Sequence, residues 1–209
     1  MKENGRIFLK AAAAGITIGI GGAVYLTLEN KVIGAVLFGV GLYTIVLNGL
    51  FLYTGKVGDL ISAKDKKAYI LQLIFTWTGN LAGTALAAAA ISATRIGNLG
   101  RTAEVICKTK LADTPHSILI LAVFCGILMY VAVEGFREKG NPLILFFCVT
   151  VFILCGFEHC IANMFYFSLA GAWSLRAVTY LLLMTLGNSV GGILLPLVKK
   201  SIMKKIIYL

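Results

Sequence analysis

A short stretch of the chain, GFEHCIANMF (Gly156 to Phe165), places three chemically versatile side chains within six positions. His159 can gain or lose a proton near neutral pH, Glu158 can accept hydrogen bonds, and the amide of Asn163 can both donate and accept them. Apolar runs flank the stretch on both sides, and an ionisable residue inside such a run is a functional hypothesis by default. We therefore interpret His159 as a residue that meets a solute.

The same residues also admit a structural interpretation. If a membrane helix is interrupted here, carbonyl and amide groups lose their partners, and each unpaired group is costly in hydrocarbon. Glu158 then accepts hydrogen bonds from the freed backbone or from a neighbouring polar group, and Asn163 braces the loop. For His159, the alternative to contact with a solute is a neutral ring that bonds the interrupted backbone.

The rest of the chain is suited to a lipid bilayer. Of its 209 residues, 59% are hydrophobic and 13% are charged, whereas about a quarter are charged in soluble domains. Apolar runs of the length that crosses a bilayer predict an all-α integral membrane protein with six spans: residues 9–28, 32–53, 68–91, 117–133, 143 to about 170, and 177–198. The second and fifth runs are irregular, and we expect broken helices there.

The net charge of +10 is explained by membrane topology. The 19 Lys and Arg residues lie in short breaks between apolar runs and not along one stripe, which argues against a nucleic acid partner. With the amino terminus in the cytoplasm, twelve of them are cytoplasmic, including Lys2, Lys204 and Lys205, six are external, and Lys56 is unassigned. The positive-inside rule then places both termini in the cytoplasm. A secretory signal over the first run is the alternative, although that run is longer than a signal core.

The two halves of the chain resemble each other. TGNLAG in the third span, with Asn80, and LGNSVGG in the sixth, with Asn188, are offset by 108 residues, and Thr54 and His159 at the two breaks by 105. We expect one membrane domain over residues 1–209, with inverted repeats at about 8–92 and 115–199, and a structural role for Asn80 at its break. Inverted repeats hold a binding site where broken helices meet, which predicts a transport protein. Gly-x-x-x-Gly packing would explain the motifs without a repeat.

Two other functions are compatible with parts of this pattern. An intramembrane enzyme would use His159 as a base, but the chain has two histidines and no His-Glu-x-x-His motif. An aquaporin-like channel for small neutral solutes also has six spans, but neither break reads Asn-Pro-Ala. Five cysteines without Cys-x-x-Cys spacing, and no nucleotide-binding motif, indicate neither a metal nor a cofactor.

In combination, the motifs resemble the formate/nitrite transporter family. GFEHCIANMF is similar to that family's fifth-span signature, and LYTG (Leu52 to Gly55), TGNLAG and LGNSVGG are similar to its second-span loop, third span and sixth span. The resemblance implies a homopentamer in the bilayer of a bacterial plasma membrane, with an aquaporin-like pore in each protomer. It also implies conduction of small monovalent anions such as formate, nitrite, hydrosulfide or short carboxylates.

The resemblance further assigns residues to the pore. It implies a central histidine at His159, a loop threonine at Thr54 and a sixth-span asparagine at Asn188, and we expect Asn163, from its place beside the break, to line the pore with them. Four side chains would form apolar constrictions: Phe38, Leu42, Leu52 and Phe152. An anion crosses such a neck more easily once a proton masks its charge, so we expect His159 to bind the anion and help it gain a proton.

Several positions depart from the family pattern. Met129 and Tyr130 follow CGIL in the fourth span, where the family has a small amide, and Lys56 adds a positive charge after the loop threonine. Lys56 either attracts anions or snorkels to the membrane surface. Thr114 stands where the family has a vestibule lysine, with Lys110 one helical turn earlier. Lys110 either serves in its place or is one more basic residue of an exposed outer loop.

Overall fold

The computed structural model describes the backbone of residues 3–207 and the side chains of residues 3–202. Every regular element in that part of the chain is helical. The elements are α1 (Glu3–Thr27), α2 (Lys31–Leu47), α3 (Tyr53–Lys56) with a 3-10 helix after it (Val57–Ile61), α4 (Lys66–Ser92), α5 (Leu99–Ala112), α6 (Pro115–Lys139), α7 (Pro142–Leu154), α8 (Cys160–Leu169) and α9 (Leu175–Ile207). Lys2 and the side chains of Lys204 and Lys205, which were counted for topology, lie outside the described residues.

The all-helical, apolar character expected from the sequence is confirmed. Four helices are long and apolar enough to cross a membrane: Glu3–Thr27, Lys66–Ser92, Pro115–Lys139 and Leu175–Ile202. The first, third, fourth and sixth apolar runs fall on these four helices. The second run falls on the shorter helix α2 and the fifth on α7 and α8, and non-helical residues 48–52 and 155–159 follow α2 and α7.

Helices α2 and α7 begin and end in matched ways. The side chains of Asn30 and Asn141 accept hydrogen bonds from backbone amides in the first turn of α2 and α7, as favoured N-cap residues do. At the other end, Gly49 has φ +57° and Gly156 has φ +69°. Glycine adopts this left-handed conformation without a steric penalty, and it lets the chain leave each helix and turn into the interior.

Two close helix pairs form the frame of the molecule. α1 packs on α4, and α6 packs on α9. A β-carbon at Gly83 would collide with the carbonyl oxygen of Ala12, and one at Gly191 would collide with that of Val123. Both glycines belong to the repeated Gly-Asn-x-x-Gly motifs, so small residues let the backbones approach closely here.

Helix α8 lies at the centre, in contact with α1, α4, α5 and α9. Five of its side chains are fully buried: Cys160, Ile161, Met164, Phe165 and Phe167. The sequence analysis did not predict α5, because four charged residues interrupt its apolar positions and it cannot be read as a membrane span. Its buried positions are Leu99, Ala103 and Cys107, four residues apart, so one buried face suffices to pack the helix.

Two faces of the molecule can be named from its helix ends. α1 begins at Glu3 near the start of α4, and Lys66 and Lys200 both donate to the carbonyl of Ile61. We call this the terminal face. The opposite end, where Arg176 donates to the carbonyl of Asp113 just after α5, is the α5 face.

Candidate functional site

The two non-helical segments bring Thr54 and His159 together in the interior. Thr54 Oγ1 lies 2.9 Å from His159 Nε2, and the two residues are 1% and 2% exposed. His159 Nδ1 accepts a hydrogen bond of 3.0 Å from the backbone N–H of Ala162 and so caps the start of α8. Because Nδ1 is an acceptor, a neutral ring carries its proton on Nε2 and donates it to Thr54.

Two features of this pair differ from the sequence analysis. Contact with a solute and a bond to the interrupted backbone were alternatives for His159, and in the structure the backbone occupies Nδ1 while Thr54 occupies Nε2. A solute at His159 must therefore compete with Thr54 for the Nε2 proton. We also treated Thr54 and His159 as equivalent residues at the two breaks. His159 directly precedes α8, however, and the residue that directly precedes α3 is Leu52, so Leu52 is the equivalent of His159.

Asn80 and Asn188 hold the two segments in place. Asn80 Oδ1 accepts the N–H of Tyr53, and Asn188 Oδ1 accepts the N–H of Cys160, both at 2.9 Å. Their amide groups donate to four carbonyls at 2.8 Å: Ala11 and Phe51 for Asn80, and Ala122 and Glu158 for Asn188. Both donors of Asn188 are therefore engaged. This side chain is a brace like Asn80, which corrects its expected role as a pore residue.

The side chains expected to form constrictions are all buried and divide into two pairs. The rings of Phe38 and Phe152 meet edge to face with centroids 6.1 Å apart, and Phe152 stacks on the imidazole of His159 at 5.5 Å. Leu42 and Leu52 line a separate cavity toward the terminal face. The Thr54–His159 pair thus has a phenylalanine pair on one side and a leucine pair on the other.

A cavity of about 570 Å³ opens toward the α5 face, and we call it the α5-side vestibule. It is lined by Lys110, Glu158, His159 and Asn163. Lys110 Nζ lies 2.6 Å from Glu158 Oε2, and Asn163 Nδ2 donates to the same oxygen at 2.8 Å. Asn163 Oδ1 is buried and has no hydrogen-bond partner among the described residues. Asn163 Nδ2 also donates to the backbone carbonyl of His159 at 3.0 Å, so a continuous set of polar groups joins Lys110 to the histidine.

The structure distinguishes between the two interpretations of Lys110. Its side chain is 15% exposed and that of Glu158 is 4% exposed, so Lys110 is not a basic residue of an open loop. Glu158 accepts hydrogen bonds from Lys110 and Asn163, which is one of the two roles expected for it. Tyr25 and Tyr166 also line this vestibule, and sequence reasoning missed them because a tyrosine near the end of a span is ordinarily an interface anchor.

A smaller cavity of about 140 Å³ opens toward the terminal face, and we call it the terminal-side vestibule. Lys56 and Arg137 line it beside the leucine pair. Arg137 Nη1 donates to Asp59 at 3.1 and 3.3 Å, and Lys56 Nζ lies 3.8 Å from Asp59 Oδ2. The sequence analysis treated Arg137 as a topological charge alone, and no spacing in the sequence links it to Lys56.

Comparison with known proteins supplies the family. The family model described as formate/nitrite transporter matches residues 2–200. The chain belongs to the formate/nitrite transporter family. It is 30% identical to the nitrite transporter NirC of Salmonella typhimurium, over 89% of this chain and 78% of that protein. It is 26% identical to the formate channel FocA of Haemophilus influenzae, over 76% of this chain and 64% of that protein, which is less than two thirds of that relative.

A solved structure extends the comparison to the fold. The chain superimposes on a pentameric formate channel with formate bound at a TM-score of 0.82 and 26% identity, covering 99% of this chain and 98% of that chain. The resemblance seen in the motifs is therefore confirmed. As a member of the formate/nitrite transporter family, the chain is a membrane transport protein and not an enzyme.

The departures from the family pattern fall in different places. Met129 is buried, and the ring of Tyr130 lies 5.7 Å from the ammonium of Lys199. Neither residue is among those that line the two vestibules. Among residues 3–202, no three histidine, cysteine or acidic side chains are grouped so that they could hold a metal ion.

Proposed function

We propose that the chain forms a transmembrane pore for small monovalent weak-acid anions, namely formate, nitrite, hydrosulfide or short carboxylates. The observation that carries the proposal is the buried Thr54–His159 pair between two apolar pairs, each of which lines one of the two vestibules. The formate channel and nitrite transporter among the relatives, and the formate-bound structural neighbour, support this choice of substrate.

The proposed architecture is one membrane domain over residues 1–209 with six spans in a 3+3 inverted, aquaporin-like repeat. The repeats cover about 8–92 and 115–199, and the second and fifth spans are broken helices. Support comes from equivalent features spaced by about the same number of residues: Gly49 with Gly156, Leu52 with His159, and Asn80 with Asn188. Such repeats place the substrate near the membrane midplane, where broken helices meet.

The apolar pairs select for a solute whose charge is masked. A bare anion loses its hydration between Phe38 and Phe152 or between Leu42 and Leu52, whereas its neutral acid loses much less. An anion that displaces Thr54 receives the hydrogen bond of His159 Nε2–H, and the released Thr54 hydroxyl can donate to the anion as well. A hydronium ion that enters the vestibule then transfers its proton to the bound anion and leaves a water molecule behind. Transport by this route rises as the pH falls.

The proposed assembly is a homopentamer with one pore in each protomer. Both vestibules and the Thr54–His159 pair are built by a single chain, so a pore needs no second copy. The pentameric structural neighbour supports five protomers. We place the assembly in a bacterial plasma membrane with both termini in the cytoplasm, because basic residues are concentrated at the terminal face.

The proposal is tested by transport into liposomes that hold the purified chain. We expect uptake of formate, nitrite and hydrosulfide, mutual competition among them, little chloride uptake, and faster uptake at pH 6 than at pH 8, since the masking proton is more abundant. Protein-free liposomes at both pH values correct for passive entry of the neutral acids. Water or glycerol permeation without anion uptake would instead establish the aquaporin-like alternative.

A further inference from the structure

Lys56 carries a positive charge whose hydrogen-bonding capacity is unused. Its Nζ is 3.8 Å from Asp59 Oδ2, beyond hydrogen-bond distance, and its side chain is 23% exposed. That distance suits an ion pair, so Asp59 offsets part of the charge without accepting a hydrogen bond. Because the side chain is partly exposed, water reaches its N–H donors, and a small anion can replace that water. The group is therefore available to an acceptor that the chain itself does not supply.

Arg137 explains why Asp59 does not satisfy Lys56. The guanidinium donates to both oxygens of Asp59 and also reaches Glu134 Oε2 at 3.3 Å. The hydroxyl of Tyr69 reaches Asp59 Oδ2 at 3.5 Å. The carboxylate is thus held toward Arg137, and Lys56 stays beside the terminal-side vestibule with its donors free.

The charges near this vestibule leave one positive charge in excess. The cations are Lys10, Lys56 and Arg137, and the carboxylates are Asp59 and Glu134. The ammonium groups of Lys10 and Lys56 lie 5.3 and 5.2 Å from the centroid of the Phe51 ring, so Lys10 lies near this vestibule, although it is not among the residues that line it. One small monovalent anion would balance the group.

Lys56 also occupies the place that Asn163 has on the opposite face. Each is the fourth residue of its short helix, Lys56 in α3 and Asn163 in α8. Each lines the vestibule at its own end of the pore. The matched positions thus present an amide to the α5 side and an ammonium to the terminal side, which makes the two entrances electrostatically different.

We propose that Lys56, with Arg137 beside it, forms a second binding site for a small monovalent anion, on the terminal side of the leucine pair. This site sets the concentration at which anions half-saturate transport from the terminal face. The cavity of about 140 Å³ accommodates an anion of the size of formate or nitrite together with a few waters, each of which takes roughly 30 Å³ in the liquid. The inference rests on the proposed function, because the anion at this site is the transported one.

The test measures initial uptake of labelled formate in right-side-out and inverted membrane vesicles that contain the full chain. The variants are Lys56→Gln, Lys56→Arg and the control Lys199→Gln, which removes a charge on the same face but outside the vestibule, where Lys199 pairs with Glu138. Labelling of Lys199→Cys with an impermeant maleimide identifies the vesicles that expose the terminal face.

For Lys56→Gln we expect the formate concentration that half-saturates uptake from the terminal face to rise about five-fold. A change of this size is expected when a partly exposed ion pair is lost. Uptake from the α5 face should change little. Lys56→Arg and Lys199→Gln should behave as wild type.

A second variant keeps the test valid even if Lys56→Gln fails to fold. Lys56→Cys in a Cys155→Ser background is modified after folding, either with an aminoethyl reagent that restores the positive charge or with a sulfonatoethyl reagent that adds a negative one. The first should lower the half-saturating concentration from the terminal face, and the second should raise it further. Equal effects on both faces, or no effect of either reagent, would overturn the inference while anion transport itself persists. Absence of saturable formate uptake by the wild-type chain would instead overturn the proposed function.

Discussion

Asn80 and Asn188 make the same three hydrogen bonds in the two halves of the chain. Each accepts the N–H of the first residue of a short helix and donates to two carbonyls, one on the preceding loop and one on a neighbouring long helix. A loop in hydrocarbon leaves backbone groups unpaired, and each such group is costly. The two asparagines therefore allow the chain to be non-helical where Thr54 and His159 meet.

Replacement of Asn188 should destabilise the fold. Asn188→Ala leaves the N–H of Cys160 and the carbonyl of Glu158 without partners in the interior, and each buried unsatisfied group costs about 1–3 kcal/mol. We predict a loss of at least about 2 kcal/mol in the free energy of unfolding, measured in detergent. Asn48→Ala is the control, because Asn48 is exposed and its amide donates to Thr44 alone. Equal stability of the two variants would contradict the bracing role.

The buried pair of Lys110 and Glu158 should behave as a coupled unit. Lys110→Met leaves the carboxylate of Glu158 largely buried without its cation, and Glu158→Gln leaves the ammonium of Lys110 without its anion, so each change should lower the free energy of unfolding by about 2 kcal/mol or more. The double variant should lose less than the sum of the two. The measurement is chemical unfolding of all three variants in the same detergent.

An exposed pair on the same helix is the control for this cycle. Lys108 pairs with Glu104, and their side chains are 75% and 50% exposed. Lys108→Met should give no measurable change, since solvent screens such a pair. Strict additivity of the Lys110 and Glu158 changes would show that the ion pair does not couple the two residues.

The sequence predicted which residues form the site more completely than it predicted how they contact one another. The interrupted fifth run pointed to His159, and the second to Thr54, because polar residues at the depth of hydrocarbon need a reason to be there. The contact of Lys110 with Glu158 could not be predicted, since the two residues are 48 positions apart in the chain and α5, the helix that carries Lys110, was not predicted. The bond from Ala162 to Nδ1 depends on the exact turn into α8, which no residue pattern specifies.

The hydrogen bond that His159 donates should control the rate of transport. His159→Asn keeps an N-cap acceptor for Ala162 but removes the Nε2–H that the bound anion accepts, so the variant should fold and take up formate more slowly at both pH 6 and pH 8. The matched control is Thr54→Ser, which keeps the hydroxyl that meets Nε2 and should keep the wild-type rate. Uptake is measured in liposomes at constant formate concentration. A wild-type rate in His159→Asn would remove His159 from the mechanism.

The phenylalanine pair should set the selectivity of the neck. Phe152→Ala removes a ring that meets Phe38 edge to face and stacks on His159, so water can reach the imidazole and partly hydrated ions can pass. We predict that the ratio of formate to chloride uptake falls by about ten-fold, which corresponds to about 1.4 kcal/mol of discrimination. Phe147→Ala, on the exposed side of the same helix, should leave the ratio unchanged. If Phe152→Ala discriminates as well as Phe147→Ala, selectivity resides elsewhere along the pore, and the leucine pair becomes the next position to test.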